Sequence, residues 1–259
     1  MRQGTETAER FNGRVEDYER YRPGYPRELI SLLELRCGMR AEHTVADVGA
    51  GTGMLARLFL ENGNAVVAVE PNAEMRAACS RLRDNGESLR VVAGTGEETT
   101  LADSSIDFVV VGRAFHWFEQ ERALREFARI LRPNGWVVLV THRRGRRESE
   151  QETDYDQILV DHGIDYQKVV DGYRSYESVK PLFAEGTCFD EQLHGKQMLT
   201  LEELVGHTQS LSVTPTPGHP KYEGMQRALR GHFERFAKDG VLQTATTCFV
   251  TCGRLPGAW

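Results

Sequence analysis

The stretch Val45-Ala46-Asp47-Val48-Gly49-Ala50-Gly51-Thr52-Gly53, continuing into Met54-Leu55-Ala56-Arg57-Leu58-Phe59, restricts the fold of this chain more than any other. A short β-branched run, an acid and three glycines at alternate positions precede an amphipathic segment, the pattern of a strand, a tight loop and a helix N-terminus. Glycine at alternate positions removes each Cβ from one side of the turn, so a ligand can lie against main-chain N–H groups and the positive end of the helix. A dinucleotide fingerprint would read G-x-G-x-x-G, with pyrophosphate on the helix N-terminus. Here the spacing is Gly49-x-Gly51-x-Gly53 with Asp47 just before it, and an acid there suits an ammonium or sulfonium cation better than a pyrophosphate. A second acid, Glu70, closes the apolar run Ala65-Val66-Val67-Ala68-Val69. It stands about twenty residues on, where nucleotide-binding α/β folds place the carboxylate that grips ribose hydroxyls. The pattern expects a ribose and no diphosphate.

A chain of 259 residues can bury one substantial core, which fits a single α/β domain with an insertion. Its formal charge of -6 and pI near 5.8 argue against a general nucleic-acid binder, whose footprint is basic. No stretch approaches the roughly 18 consecutive apolar residues of a membrane span, and the polar start from Met1 to Arg10 lacks a secretory apolar segment. A cytoplasmic protein with no membrane partner is expected. Cys37, Cys79, Cys188, Cys248 and Cys252 are an odd, scattered set without a C-x-x-C pair, and the histidines have no H-x-x-x-H or H-E-x-x-H spacing. Reduced thiols and no metal site follow.

Along the chain, Phe11, Val15 and Tyr18 stand at helical spacing, and Pro26 opens a helix with Leu29, Ile30, Leu32 and Leu33 that Gly38 can end. The helix after the glycine loop reaches about Gly63; Asn72 can cap another through Met75, Ala78 and Leu82 to near Gly86. Residues 89–93 and 106–112 read as strands, and Leu124, Phe127, Ala128 and Leu131 as a helix face that stops at Pro133-Asn134-Gly135 before a strand over 136–141. Strands alternating with helices at this pace indicate a parallel sheet. Further on, 186–199 is a strand, 201–209 a short helix, Tyr222 to Phe236 a longer helix, and 241–253 the last strand.

In an open α/β sheet ligands collect at strand carboxyl ends, and the 106–112 strand delivers Arg113, Ala114, Phe115, His116 and Trp117 there. His116 is the candidate base, with a role in orienting cofactor or substrate as the alternative. Phe115 and Trp117 can stack on a base or roof a substrate pocket, and share a face only if the segment stays extended. Arg22, Arg113, Arg143 and Arg144 could converge on a carboxylate acceptor, which needs a forked donor and no base.

The segments Asp47-Val48-Gly49-Ala50-Gly51-Thr52-Gly53, Val69-Glu70-Pro71-Asn72, Gly94-Thr95-Gly96-Glu97, Ile106-Asp107-Phe108, Ala114-Phe115-His116-Trp117 and Leu131-Arg132-Pro133-Asn134-Gly135 stand in the order and spacing of a known family. Over residues 43–141 the chain resembles the class I S-adenosylmethionine-dependent methyltransferases, in the small-molecule branch that includes trans-aconitate and ubiquinone or menaquinone methyltransferases. The resemblance implies a Rossmann-like, doubly wound, mostly parallel seven-stranded sheet with an antiparallel last strand. It also implies an N-terminal segment (1–40) folded over the cofactor, a cap inserted at 143–181 and C-terminal elements at 186–253. S-adenosyl-L-methionine would be the cofactor and a small molecule the methyl acceptor. The cofactor would be held by Tyr18, Arg22, Asp47, Gly49, Ala50, Gly51, Gly53, Glu70, Pro71, Met75, Thr95, Gly96, Glu97, Arg113 and Phe115, and the acceptor by Tyr25, Trp117 and Arg143. Many relatives carry an aspartate where Thr95 stands, so Gly96 and Glu97 are expected to flank adenine. An NAD(P)-dependent oxidoreductase and a non-catalytic S-adenosylmethionine-binding relative are the alternatives. The first is disfavoured by the glycine spacing; the second is decided by turnover alone.

Overall fold

In a computed structural model, which describes residues 19–82, 88–143, 149–164, 166 and 178–256, the β-branched runs form the middle of one sheet. Its strands are β1 (Thr44–Val48), β2 (Ala65–Val69), β3 (Leu89–Val92), β4 (Ile106–Gly112), β5 (Leu131–Arg143), β6 (Phe189–Leu199) and β7 (Leu242–Gly253), in the order β3-β2-β1-β4-β5-β7-β6. Pairings among β1 to β5 are parallel, and β7 runs antiparallel to both β5 and β6, as the last strand was expected to. Val109, Val110, Val111, Val137, Val138 and Leu139 are wholly buried, because helices cover a parallel sheet on both faces and leave no polar alternation.

The helices are α1 (Glu28–Cys37), α2 (Met54–Glu61), α3 (Ala73–Ser80), α4 (Gln120–Ile130), α5 (Glu150–His162), α6 (Leu201–Gln209) and α7 (Tyr222–Phe236). α1 and α2 pack on the face carrying Val45, Phe108, Val110, Val138 and Val140; α4 packs on the opposite face, against Val109, Val111, Val137 and Leu139. Local chemistry sets the ends. Gly38 closes α1 in the left-handed region (φ 66°), and the Asn72 side chain accepts from the Met75 N–H to start α3. Ser149 and Thr200 form capping boxes with Glu152 and Glu203 at the starts of α5 and α6. A third apolar cluster joins α5, α6 and α7 through Tyr155, Ile158, Leu159, Leu204, Met225 and Leu229.

One boundary departs from the sequence reading. Leu131 fits the helix face of Leu124 and Phe127, yet α4 ends at Ile130, and Leu131 already pairs with Ile106 as the first residue of β5. The register then shifts before Trp136 meets Phe108, across a segment in which Asn134 has φ 67° and Arg132 donates to Asp107 Oδ2 at 2.7 Å. Sheet pairing and this ion pair override the helical period. α3 likewise ends at Ser80 rather than near Gly86, and Gly86 lies outside the described residues. β1 sits between β2 and β4, so the chain turns opposite ways on its two sides and opens a crevice at the strand carboxyl ends.

Candidate functional site

The glycine loop follows β1 directly, and its three glycines have different reasons to be glycine. Gly49, Gly51 and Gly53 all have positive φ (73°, 57° and 85°). A Cβ on Gly49 would stand 2.6 Å from the Ala114 Cβ, and one on Gly53 would stand 2.7 Å from the Cys79 Sγ. A Cβ on Gly51 would meet nothing within 4 Å. The outer two are glycine for packing, whereas Gly51 faces open space. Gly49 and Ala50 donate their N–H groups to the Val69 carbonyl (2.8 and 3.1 Å), which fastens the loop to the end of β2.

Two buried acids frame this loop. Glu70 Oε2 accepts from the Gly51 N–H at 2.9 Å and Oε1 from the Asn72 N–H at 2.8 Å, so each carboxylate oxygen keeps a further lone pair for a hydroxyl donor. Burial pushes its pKa up against the pull of those two bonds and of Arg76. Asp47 is 1 % exposed, and its Oδ2 accepts from the Ala56 N–H in the first turn of α2 at 2.9 Å. Its Oδ1 is buried with no hydrogen-bond partner among the described residues, and so is Thr52 Oγ1. Desolvation, helped by the neighbouring Glu70 and opposed by the Ala56 N–H and Arg113, pushes Asp47 up to about 7. Native interiors pair nearly all buried polar atoms, so two orphans beside an open glycine mark a cradle for something polar.

Across the crevice, β4 and β5 present a different set. Arg113 follows β4 with φ 57°, and its guanidinium donates to the Tyr25 hydroxyl (3.0 Å), the Pro23 carbonyl (3.2 Å) and the Met54 Sδ (3.4 Å). It thus ties the chain ahead of α1 to the start of α2. The Tyr25 ring lies over Gly112, and its centroid is 5.3 Å from that of His142, near the end of β5. The same N-terminal segment reaches the third cluster: Arg22 donates to the Ser210 carbonyl (3.1 Å), and Tyr21 donates to Glu202 (3.0 Å) and packs against Gly206. Burial, then the charges of Arg113 and Arg22, push His142 down to about 3; burial and Arg22 push His116 down to about 4. Both imidazoles are neutral over the physiological range. Burial also pushes the Cys248 thiol up to about 12.

The structure gathers Arg22, Tyr25, Asp47, Gly49, Ala50, Gly51, Gly53, Glu70, Arg113 and His116 at the strand carboxyl ends and in the segment that covers them. Pro71 is exposed beside Glu70, and Met75 is buried in α3. Phe115 and Trp117 do not share a face, because residues 115–117 make a 3-10 turn: Phe115 is wholly buried against Phe118, and the Trp117 ring lies tilted against that of His116 with centroids 4.6 Å apart. Thr95 Oγ1 accepts from the Glu98 N–H, Gly96 lies on the Phe118 ring, and Glu97 accepts from the Glu119 N–H ahead of α4. Tyr18 and the side chain of Arg143 lie outside the described residues. Reasoning from sequence passed over His142, Thr141, Thr52 and Phe118. For His142 the signal lies in the register, which the sequence does not carry: Val140 pairs with Gly112, the last residue of β4, so the residues after it emerge at the same edge as Arg113. Thr141 Oγ1 and His142 Nδ1 are also buried without a partner among the described residues.

This geometry has counterparts among known proteins. Residues 46–139, from β1 into β5, match the family profile described as a methyltransferase domain. An uncharacterised methyltransferase of Mycobacterium tuberculosis (strain H37Rv) is 42% identical over 137 residues, 53% of this chain and 54% of that protein. The chain thus spans about half the length of the first curated relatives it matches. Among solved structures, a candidate type II methyltransferase of Anaeromyxobacter dehalogenans superposes with TM-score 0.64 at 22% identity, covering 91% of this chain and 99% of that one. A phosphoethanolamine N-methyltransferase of Haemonchus contortus, solved with phosphomonomethylethanolamine and S-adenosylhomocysteine, superposes with TM-score 0.54 at 14% identity, covering 99% of this chain and 60% of that one. At these identities the superpositions establish the fold alone, a Rossmann-like seven-stranded sheet flanked by helices.

Proposed function

We propose that this protein transfers a methyl group from S-adenosylmethionine to a small-molecule acceptor by direct in-line displacement. The observation that carries the reading is the cradle itself: an open Gly51 flanked by the orphaned Asp47 Oδ1 and Thr52 Oγ1, with Glu70 bonded to the Gly51 N–H. Asp47 suits the cationic methionine end, and Glu70, with lone pairs to spare, suits the ribose hydroxyls. Gly96 and Glu97 flank adenine in this reading, and Thr95, already bonded to Glu98, contributes backbone only. Phe115 acts from behind, as the packing support of Phe118. S-adenosylmethionine supplies the activated methyl group on a sulfonium, which leaves the protein to orient the acceptor and exclude water. The segment from Arg20 to Tyr25 supports that exclusion by bridging Arg113 to α6. His116, low in basicity, orients rather than abstracts, with Trp117 beside it on the acceptor side.

The domain reading keeps residues 43–141 as the cofactor-binding core and 143–181 as a cap, with the 186–253 region completing the sheet. Among the described residues no helix is long and apolar enough to cross a membrane, and no group of three or more His, Cys, Asp or Glu could hold a metal ion. The five cysteines are all free thiols, which supports a reducing compartment and so the cytoplasm.

The test is calorimetric titration with S-adenosylmethionine, S-adenosylhomocysteine and NADH. Both sulfur compounds are expected to bind and NADH is not. Glu70→Ala should weaken S-adenosylmethionine by at least about tenfold, roughly 1.4 kcal/mol. Binding of NADH alone would return Glu70 to a dehydrogenase, and an unchanged affinity in the variant would remove it from the ribose.

A further inference from the structure

The two edges of the sheet are finished differently. At one edge β3 has 4 residues, a short strand of the kind that discourages further pairing. At the other, β6 has 11 residues and no proline, and it pairs with β7 residue for residue, from Phe189 with Cys252 to Leu199 with Leu242, without a bulge. Among the described residues β7 is the only strand on β6, so alternate N–H and C=O groups of β6 point outward along its length. The two faces of the strand differ as well. Phe189, Glu191, Leu193 and Gln197 are half-buried, with Phe189 and Leu193 on the apolar core. Asp190, Gln192, His194, Lys196 and Met198 alternate with them and are exposed, Met198 at 59%.

We propose that β6 is the seam of a homodimer, in which two copies of the chain pair their β6 strands antiparallel about a twofold axis through Leu193 and join their sheets into one. The occupant is a second copy because the strand is complementary to its own antiparallel image. With the axis at Leu193, Asp190 of each copy stands opposite Lys196 of the other on the exposed face, and Leu193 meets Leu193 on the core face. Moving the axis to Gln192 sets Lys196 opposite Cys188; moving it to His194 sets Lys196 opposite Gln192 and one histidine against the other. Of these placements only the first matches acid to base. Lys196 is exposed and has no ion pair or hydrogen bond of its own among the described residues. Asp190 accepts from the Thr251 hydroxyl at 2.7 Å and pairs with Lys180 at 2.5 Å, yet its side chain stays 48% exposed and each oxygen keeps a further lone pair. Helix α1 leaves the seam open. Arg36 donates to Glu191 at 3.1 Å and lies 4.3 Å from the Phe189 ring centroid, so α1 reaches the strand at its Phe189 end. Antiparallel pairing sends the second α1 to the other end of the seam, about 27 Å along the strand. The dimer is independent of the reaction the protein performs.

The experiment is sedimentation equilibrium of the full chain over about 1–100 μM, in which the mass is expected to rise from 29.2 kDa to twice that value. Lys196→Glu sets acid against acid at both ends of the seam and should raise the dimer dissociation constant at least about tenfold, while Lys196→Arg should dimerise much as the native chain does. An unchanged far-ultraviolet spectrum confirms that each variant keeps its sheet. Register is read by cross-linking with oxidised glutathione. In Gln192→Cys/His194→Cys each new thiol stands opposite one of the second copy, and a disulfide-linked dimer is expected. In Gln192→Cys/Lys196→Cys the thiols meet only if the axis lies at His194, and no cross-link is expected. A chain that stays at 29.2 kDa at the highest concentration would overturn the proposal. So would a Lys196→Glu variant that dimerises like the native protein, the absence of the first cross-link, or the appearance of the second, since each would place any contact between copies elsewhere.

Discussion

The sheet edge and the three-helix cluster of α5, α6 and α7 bury polar groups on opposite terms. In the helical cluster the buried groups are paired: His232 Nδ1 lies 2.7 Å from Asp154 Oδ2, and the Tyr155 and Thr208 hydroxyls are 2.6 Å apart. Gln226 Nε2 is among the exceptions. At the sheet edge Asp47 Oδ1, Thr52 Oγ1, Thr141 Oγ1 and His142 Nδ1 are buried with no partner among the described residues. A buried polar atom left unpaired costs about 1–3 kcal/mol. The cluster is therefore organised to be stable in itself, and the sheet edge to be stable once something fills it. Substitutions in the two regions should move different observables.

The largest effect on stability is expected from Asp154→Ala. His232 is almost wholly buried, with Tyr155 and Phe236 rings against it, and the substitution strands its Nδ1. The expected loss is about 1–3 kcal/mol, a fall in Tm on the order of 5 °C. Arg235, which also donates to Asp154, is solvated and adds little. Affinity for S-adenosylmethionine should stay within about twofold, by calorimetry on the folded variant. A comparable loss of cofactor affinity would break the contrast, because the helical cluster would then be part of the cradle.

Asp47→Asn should do the reverse. The native Asp47 keeps its proton up to about pH 7, whereas an unfolded chain releases it near 3.8. Between those values the folded state binds more protons, so the contribution of Asp47 to stability falls as pH rises and is lost above about 7. Asparagine can still accept from the Ala56 N–H and carries no charge, so the variant should melt higher than the native protein at pH 8, by a few degrees, with the gap closing toward pH 5. Its affinity for a cationic cofactor should drop about tenfold. In the native protein the same affinity should rise with pH through about 7, since a cation favours the ionised acid. Titrations at three pH values, paired with melting curves, test both halves. A variant less stable at pH 8 would mean that the buried carboxylate is a structural asset.

How much of this was legible in the sequence follows the same division. The strands β1, β2 and β4, the glycine loop and Glu70 could be read because a parallel strand buried on both faces leaves a continuous apolar run and a loop without Cβ atoms leaves glycines. The start of β5 could not, because Leu131 satisfies a helical period and only pairing with Ile106 reveals its place. Phe115 and Trp117 were ambiguous for a similar reason: whether aromatic neighbours share a face depends on a turn that three residues do not encode. His142 was hidden by its element, since a histidine inside a run of strand residues looks like part of the sheet until the register brings it beside Tyr25 and Arg113. The acidity of His116 and His142 was beyond reach as well, because Arg22 arrives from a distant part of the chain.

The smallest effect gives the sharpest comparison, because it uses one substitution in two places where the added atom meets nothing. A Cβ on Gly51 or on Gly231 would have no neighbour within 4 Å. Gly231 lies in the interior of α7, where alanine restricts the unfolded chain and removes a weak helix former, so Gly231→Ala should stabilise by about 0.5–1 kcal/mol, roughly 2 °C. Cofactor binding should not change. Gly51 has φ 57°, so alanine there pays about 1–2 kcal/mol in backbone strain, and its methyl would enter the space reserved for a ligand. Gly51→Ala should melt slightly lower and lose S-adenosylmethionine affinity by more than its strain alone explains. Equal affinities in the two variants would mean that the empty space beside Gly51 is plain solvent, and the cradle would have to be sought elsewhere along the edge of β1.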